Sequence, residues 1–144
     1  MIGVDSNLLV YASIRADDRR HERAVDVLHL LMQRQLLFMP LQVVAETFHV
    51  LVRKSRVDPA VAARAIDAYA SFATVESYVH DDVRIAMEMV AQHRLSFWDA
   101  LIWAVCQRSG VRTLLTEDMQ DGRILGHVTF MNPFGEHAAH LLGH

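Results

Sequence analysis

Two kinds of segment alternate along the chain: short apolar runs, and longer stretches in which hydrophobic and polar positions follow a helical repeat. The apolar runs have the length of strands and fall at residues 2–5, 36–39, 74–77, 112–115 and 128–130. Between them, apolar residues recur every three or four positions, which is typical of helices with one buried face. The alternation predicts an α/β fold with a central parallel sheet.

The predicted helices have local start and stop signals. They begin near residue 8 and at Asp58-Pro59, and cover residues 20–35, 42–56, 82–93 and 97–108. Asp58 is a favourable N-cap and Pro59 suits the first helical position, whereas Gly110 is expected to end the last of these helices. The helix over residues 42–56 and its successor are expected to form a hairpin-like arm. The tail from Gly135 has no clear pattern.

The composition fits one globular domain over residues 1–144, with 52% hydrophobic and 22% charged residues. No apolar run reaches the ~18 residues that a membrane span needs, and the N-terminus lacks the pattern of a signal peptide. The single cysteine, Cys106, excludes an internal disulfide and is expected to be a buried, inert thiol. These features predict a cytoplasmic protein that does not contact a membrane.

The net charge of −3 argues mildly against a broad electrostatic surface for nucleic acid. It does not exclude a nucleic-acid enzyme, because bound cations can reverse the local sign of a site. The cationic residues are 13 arginines and Lys54. Arginine suits phosphate recognition, and a genomic bias in composition is an equally open explanation of the same count.

Two acids follow predicted strands. Asp5 ends the first strand, and Asp118 follows the fourth within Leu115-Thr116-Glu117-Asp118. In a parallel α/β sheet, ligands bind beyond the carboxyl ends of the strands. Each acid also has an ordinary interpretation, Asp5 as a helix cap and Asp118 as a solvated loop residue.

Two further acids lie on predicted helices. Glu46 shares a helical face with Val43 and Val50, although it could instead reach solvent from the border of that face. Asp99 fits a capping box with Ser96, yet it also lies on an apolar helix face. Capping and facing a cleft are compatible at a helix N-terminus.

If the four acids converge, they require a cation. Two unit charges ~6 Å apart cost roughly 3 kcal/mol at an effective dielectric of ~20. Ligands that are all oxygen select Mg²⁺ or Mn²⁺ over zinc, and such ions support phosphodiester hydrolysis. By contrast, Glu117 and Asp121 are expected to be solvated, and no metal-ligand spacing relates His137, His140 and His144.

The order of these motifs resembles the PIN-domain family, and most closely the VapC toxins of type II toxin–antitoxin pairs. The resemblance rests on a set of segments in matching order over nearly the whole chain: Val4-Asp5-Ser6-Asn7, Glu46, Ser96-Phe97-Trp98-Asp99-Ala100, Leu115-Thr116-Glu117-Asp118, Met119-Gln120-Asp121-Gly122 and Asn132-Pro133-Phe134. Ser6 stands where the family more often has threonine.

The resemblance implies a three-layer α/β/α fold with strand order 3-2-1-4-5. It implies that Asp5, Glu46, Asp99 and Asp118 bind Mg²⁺, with Mn²⁺ as a substitute, and cleave single-stranded RNA. Asp5, Asp99 and Asp118 would hold the metal, and Glu46 would be a further ligand or orient the attacking water. Asn7 and Thr116 are candidates for holding these acids in place, and are otherwise ordinary turn residues. A homodimer and a cognate antitoxin are also implied.

Three other classes compete. A PIN-like binding module could act without cleavage, in an antitoxin complex that represses its own operon and contacts DNA only through the antitoxin. A receiver-type phosphoryl-transfer domain needs a lysine near its acids, whereas Lys54 lies at the end of a predicted helix. A phosphatase with a nucleophilic aspartate would favour an acid two residues after Asp5, where the chain has Asn7.

Overall fold

A computed structural model describes residues 1–15 and 19–141 of the chain. Within these residues the strands are β1 (Ile2–Val4), β2 (Leu37–Pro40), β3 (Thr74–Glu76), β4 (Thr113–Leu115), β5 (Ile124–Leu125) and β6 (Val128–Met131). The helices are α1 (Ser6–Ser13), α2 (Arg19–Gln33), α3 (Leu41–Arg53), α4 (Pro59–Ala70), α5 (His80–His93), α6 (Phe97–Arg108) and α7 (Glu136–Leu141). His144 lies outside the described residues.

The strands form one sheet in the order β3-β2-β1-β4-β6-β5. All neighbours are parallel except β5 and β6. The predicted fold class and the predicted order of five parallel strands are therefore confirmed, with β6 as the predicted fifth strand. The prediction missed β5, which extends the sheet by an antiparallel edge strand.

The missed strand β5 is part of a tight hairpin. It contains only two residues, too few to produce a hydrophobic pattern, and Gly126 in the turn has a positive φ of 59°. The buried Trp103 ring donates a hydrogen bond from Nε1 to the Leu125 carbonyl at 3.0 Å. A tertiary contact therefore fixes an edge that the local sequence does not indicate.

Helices cover both faces of the sheet and share one hydrophobic core. Helices α1 to α4 pack against one another, whereas α5 packs against α6, and α6 in turn contacts β2 and β6. A smaller apolar cluster of Leu51, Ala62 and Ile66 joins α3 to α4, as expected for the predicted arm. No helix in the described residues is long and apolar enough to cross a membrane.

An ion pair between a buried carboxylate and a partly exposed arginine joins α5 to α6. Asp82 is only 1% exposed, and both of its carboxylate oxygens accept from Arg108 Nε, at 3.0 and 3.1 Å. Arg108 also donates to the Ser77 carbonyl, and the Val79 N–H donates to Asp82 at 2.9 Å. This network fixes the start of α5 against the end of α6.

Candidate active site

The register of the sheet places Asp5 beside Thr116. Val4 pairs with Leu115 across β1 and β4, so the residues that follow them meet at the carboxyl edge of the sheet. The Thr116 hydroxyl donates to Asp5 Oδ2 at 2.8 Å, and the Ser6 N–H donates to Asp5 Oδ1 at 2.7 Å. Asp5 therefore caps α1, and the same carboxylate belongs to the site.

Burial dominates the electrostatics of Asp5, which is 4% exposed. The pKa of Asp5 is raised to about 6, chiefly because burial desolvates the carboxylate and in smaller part because of the negative charges of Asp99 and Asp118, against the lowering effect of its hydrogen bonds to Thr116 and Ser6. The negative charge of an ionised aspartate in this position is poorly compensated without a nearby cation.

Glu46 is oriented by two side chains. Gln42 lies one helical turn earlier on α3, and its Nε2 donates to Glu46 Oε1 at 2.7 Å. The Ser6 hydroxyl donates to Glu46 Oε2 at 3.3 Å while the Ser6 N–H donates to Asp5 Oδ1, so Ser6 connects the two acids. Sequence reasoning missed both supporting residues. The four-residue spacing could have indicated Gln42, whereas the Ser6 contact spans 40 residues and has no local signal.

Asp99 lies in the first turn of α6. Ser96 is the N-cap, and its hydroxyl accepts from the Asp99 N–H at 3.2 Å. Burial raises the pKa of Asp99, and the charges of Asp118 and Glu46 raise it further. Because α6 runs opposite to β4, into which it leads, its N-terminus lies at the same sheet edge as Asp5. The capping interpretation of this segment is therefore confirmed, and Asp99 lies at the sheet edge where the other candidate acids lie.

Asp118 is exposed, and side-chain and backbone contacts fix its position. Asn7 Nδ2 donates to Asp118 Oδ2 at 3.2 Å, and the Asp118 N–H donates to Thr116 Oγ1 at 3.2 Å. The buried Asn7 Oδ1 has no hydrogen-bond partner among the described residues. It offers an additional oxygen acceptor at the border of the acidic cluster.

Glu117 and Asp121 have structural contacts rather than the solvated positions expected for them. Tyr11 donates to Glu117 at 2.9 Å, and Arg20 lies 3.9 Å from its other oxygen. Asp121 accepts from the Asn132 N–H and contacts His137, and these two contacts lower its pKa. Both acids are half-buried, which only long-range contacts could reveal.

A cluster of arginine side chains lies on the same side of the site as Glu117. Arg19, Arg20 and Arg23 line a cavity of about 540 Å³ together with Phe134. The Arg20 guanidinium lies 5.5 Å from the centre of the Tyr11 ring. Cys106, by contrast, is fully buried against β1, and burial raises its pKa to about 12, as expected for an inert thiol.

The donor set of the acidic cluster fits a hard divalent cation. In residues 1–15 and 19–141, no three His, Cys, Asp or Glu side chains are grouped as a ready-made metal cage. Mg²⁺ does not require one, because it keeps several waters and binds through one or two carboxylates. Burial first and neighbouring negative charge second raise the pKa of Asp5 and of Asp99, and a bound cation would oppose both effects by stabilising the carboxylates.

The acidic site lies at the carboxyl edge of the five parallel strands of this α/β domain. Four separate segments of the chain contribute its carboxylates. The chain belongs to the PIN domain family, which it matches over residues 2–120. This confirms the family resemblance. The comparison with curated proteins found no match.

Two solved structures have a similar fold. One is VapC20 of Mycobacterium tuberculosis, described as a toxin that cleaves the sarcin–ricin loop, with a TM-score of 0.63 and 24% identity over 79% of this chain and 87% of that one. The other is VapBC2 of Rickettsia felis bound to a DNA fragment from its promoter, with a TM-score of 0.66 and 18% identity over 92% and 98% of the two chains. At these identities the likeness shows the fold.

Proposed function

We propose that this chain is a metal-dependent endoribonuclease that hydrolyses RNA phosphodiester bonds in the cytoplasm as the toxin of a type II toxin–antitoxin pair. The observation that carries the proposal is the buried Asp5 carboxylate, which hydrogen bonds connect to Glu46 through Ser6 and to Asp118 through Thr116. Membership of the PIN domain family and the fold shared with VapC20 support it.

In this mechanism Asp5, Asp99 and Asp118 would hold Mg²⁺, with Mn²⁺ as a substitute, and Glu46 would be a further ligand or orient the attacking water. Such a cation, when bound, would supply stabilisation of the charge that develops on the phosphate and a lower pKa for the attacking water. Thr116 and Ser6 keep the Asp5 carboxylate fixed, and Gln42 does so for Glu46. Preorganised carboxylates need little rearrangement during the reaction.

The arginine cluster is suited to the RNA backbone. Arg20 lies beside Glu117, the residue before Asp118, and Arg19 and Arg23 line the same cavity as Arg20. Guanidinium groups bind phosphate oxygens in pairs. A strand held there would enter the acidic site from this side, and the local positive charge offsets the net charge of −3.

The proposal includes two protein partners. Exposed apolar side chains on β3 and along α5 offer a surface for a homodimer: Val75, Val79, Ile85 and Met87. VapBC2 is a complex bound to promoter DNA. By analogy, this chain binds a cognate antitoxin and contacts DNA only through it.

Cleavage of a mixed structured-RNA pool by the purified chain, with Mg²⁺, with Mn²⁺ and with EDTA, tests the activity. We expect cutting with either cation and none with EDTA. Folded protein, free of any partner, that cuts nothing under all three conditions would contradict the nuclease and favour the non-cleaving binding module. Cutting that persists in EDTA would contradict the role of the metal.

A further inference from the structure

An open groove of about 640 Å³ lies beside the acidic site, between α3 and the N-terminal end of α6. It is lined by Gln42, Ala45, His49, Val50, Tyr78 and Trp98, and it reaches Glu46. Trp98 is 59% exposed and Tyr78 is 45% exposed. Two aromatic rings at the surface therefore face solvent next to a group that the proposed reaction uses.

Hydrogen bonds and chain adjacency connect the groove to two of the acids. Gln42 Nε2 donates to Glu46 Oε1 at 2.7 Å and to the Trp98 carbonyl at 3.2 Å. Trp98 immediately precedes Asp99, and its ring packs edge-on against Phe97 with centroids 5.1 Å apart. A ligand in the groove would consequently sit at a fixed position relative to two of the four acids.

The lining suits a flat, neutral ligand that donates hydrogen bonds. None of the described residues that line the groove is lysine or arginine, so a phosphate would find no counter-charge there. The Gln42 Oε1 atom is buried and has no partner among the described residues, although both amide hydrogens have acceptors nearby. Aromatic rings stack on nucleobases of any sequence, and an amide oxygen accepts from base N–H groups.

We propose that this groove binds one unpaired nucleobase of the RNA, next to the phosphodiester bond positioned at the acids. The inference rests on the proposed function for the identity of the strand. A base within a duplex is stacked and paired, so only a base that has left the helix can enter. The groove would thus select single-stranded segments, while the arginine cluster holds the backbone on the opposite side of the acids.

The test measures binding separately from cleavage. In the Asp5→Asn protein with Mg²⁺, we would measure the affinity for a short dye-labelled single-stranded RNA by fluorescence anisotropy. Trp98→Ala, Trp98→Phe and Phe72→Ala would be added to this background. Phe72 is the matched control, because it is an exposed aromatic residue (64%) that precedes β3 and therefore lies at the amino ends of the strands, whereas the acids lie at their carboxyl ends. The same RNA with abasic nucleotides is the second probe.

Trp98→Ala should weaken binding roughly 5- to 150-fold, as expected for the loss of one stacked base. Trp98→Phe should restore most of the affinity, Phe72→Ala should leave it unchanged, and the abasic RNA should bind weakly whether or not Trp98 is present. Tryptophan fluorescence gives an independent signal. Trp103 is only 5% exposed, so quenching by the RNA, but not by its abasic form, would report on Trp98.

Equal affinities of Trp98→Ala and its parent would overturn the base site. So would a change of mass in Trp98→Ala measured by light scattering, because the groove would then belong to a contact between two copies. RNA binding that depends on Trp98, in a chain whose wild type cuts nothing, would retain the base site and reject the nuclease. If the wild type cleaves RNA and Trp98→Ala in the otherwise wild-type chain cleaves it equally well, the nuclease would be retained and the base site rejected.

Discussion

At the residue scale, Asp5 has two roles that oppose each other energetically. It caps α1 and accepts two hydrogen bonds, but it is buried beside other acids, and its pKa rises from 3.8 to about 6. The folded chain therefore binds the Asp5 proton more tightly than the unfolded chain does. The contribution to stability is fully present below about pH 4 and is lost as the pH rises through about 6.

Asp5→Asn should remove this pH dependence. In EDTA, the free energy of unfolding of the wild type should fall between about pH 3 and 7 by roughly 3 kcal/mol more than that of the variant. Urea unfolding at a series of pH values measures the difference. Added Mg²⁺ should stabilise the wild type at pH 7 and have little effect on Asp5→Asn. Parallel pH profiles for the two proteins would contradict the environment assigned to Asp5.

Thr116 positions the Asp5 carboxylate and accepts from the Asp118 N–H. Thr116→Val keeps the shape and removes the hydroxyl, so we expect roughly 10- to 100-fold lower activity and a higher Mg²⁺ requirement. Thr116→Ser retains the hydroxyl and should restore both. Cleavage rates over a Mg²⁺ titration make the comparison. If the serine variant is as impaired as the valine variant, Thr116 has only a packing role.

At the element scale, the longer helices and the strands that lead to the acids were predictable from the sequence. The short elements that tertiary contacts hold in place were not. Strand β1, strand β4 and helix α6 have clear apolar patterns, and these elements carry Asp5, Asp118 and Asp99. Strand β5 has two residues, and α7 lies within the tail from Gly135, whose sequence has no apolar periodicity. Gly110 does end α6 with a positive φ of 73°, as the sequence indicated.

The Asp82–Arg108 ion pair is another feature that local pattern could not reveal, since it joins residues 26 positions apart. Arg108→Ala should destabilise the fold more than Asp82→Ala does. The first change leaves a buried carboxylate without its cation, at a cost of roughly 3 kcal/mol, whereas the second leaves an arginine that reaches water. Thermal and urea unfolding compare the two. Equal destabilisation would contradict this asymmetry.

At the scale of the whole molecule, convergence of the four acids follows from topology. Asp5 and Asp118 follow adjacent parallel strands, and the sequence places both at one edge. The position of Asp99 depends on α6 running back across the sheet, and that of Glu46 depends on how α3 leaves β2. Both required the family resemblance before the fold was known. The hydrogen bonds through Ser6 and Gln42 required the structure.

The central claim is that Asp5 is essential for RNA cleavage and that its loss does not unfold the chain. The direct measurement compares Mg²⁺-dependent RNA cleavage by wild type, Asp5→Asn and Asp67→Asn, with circular dichroism to show that each is folded. Asp67 is an exposed acid on α4 and provides the same chemical change outside the site. We predict full activity for Asp67→Asn and loss of activity for Asp5→Asn. Full activity of a folded Asp5→Asn protein would contradict the account.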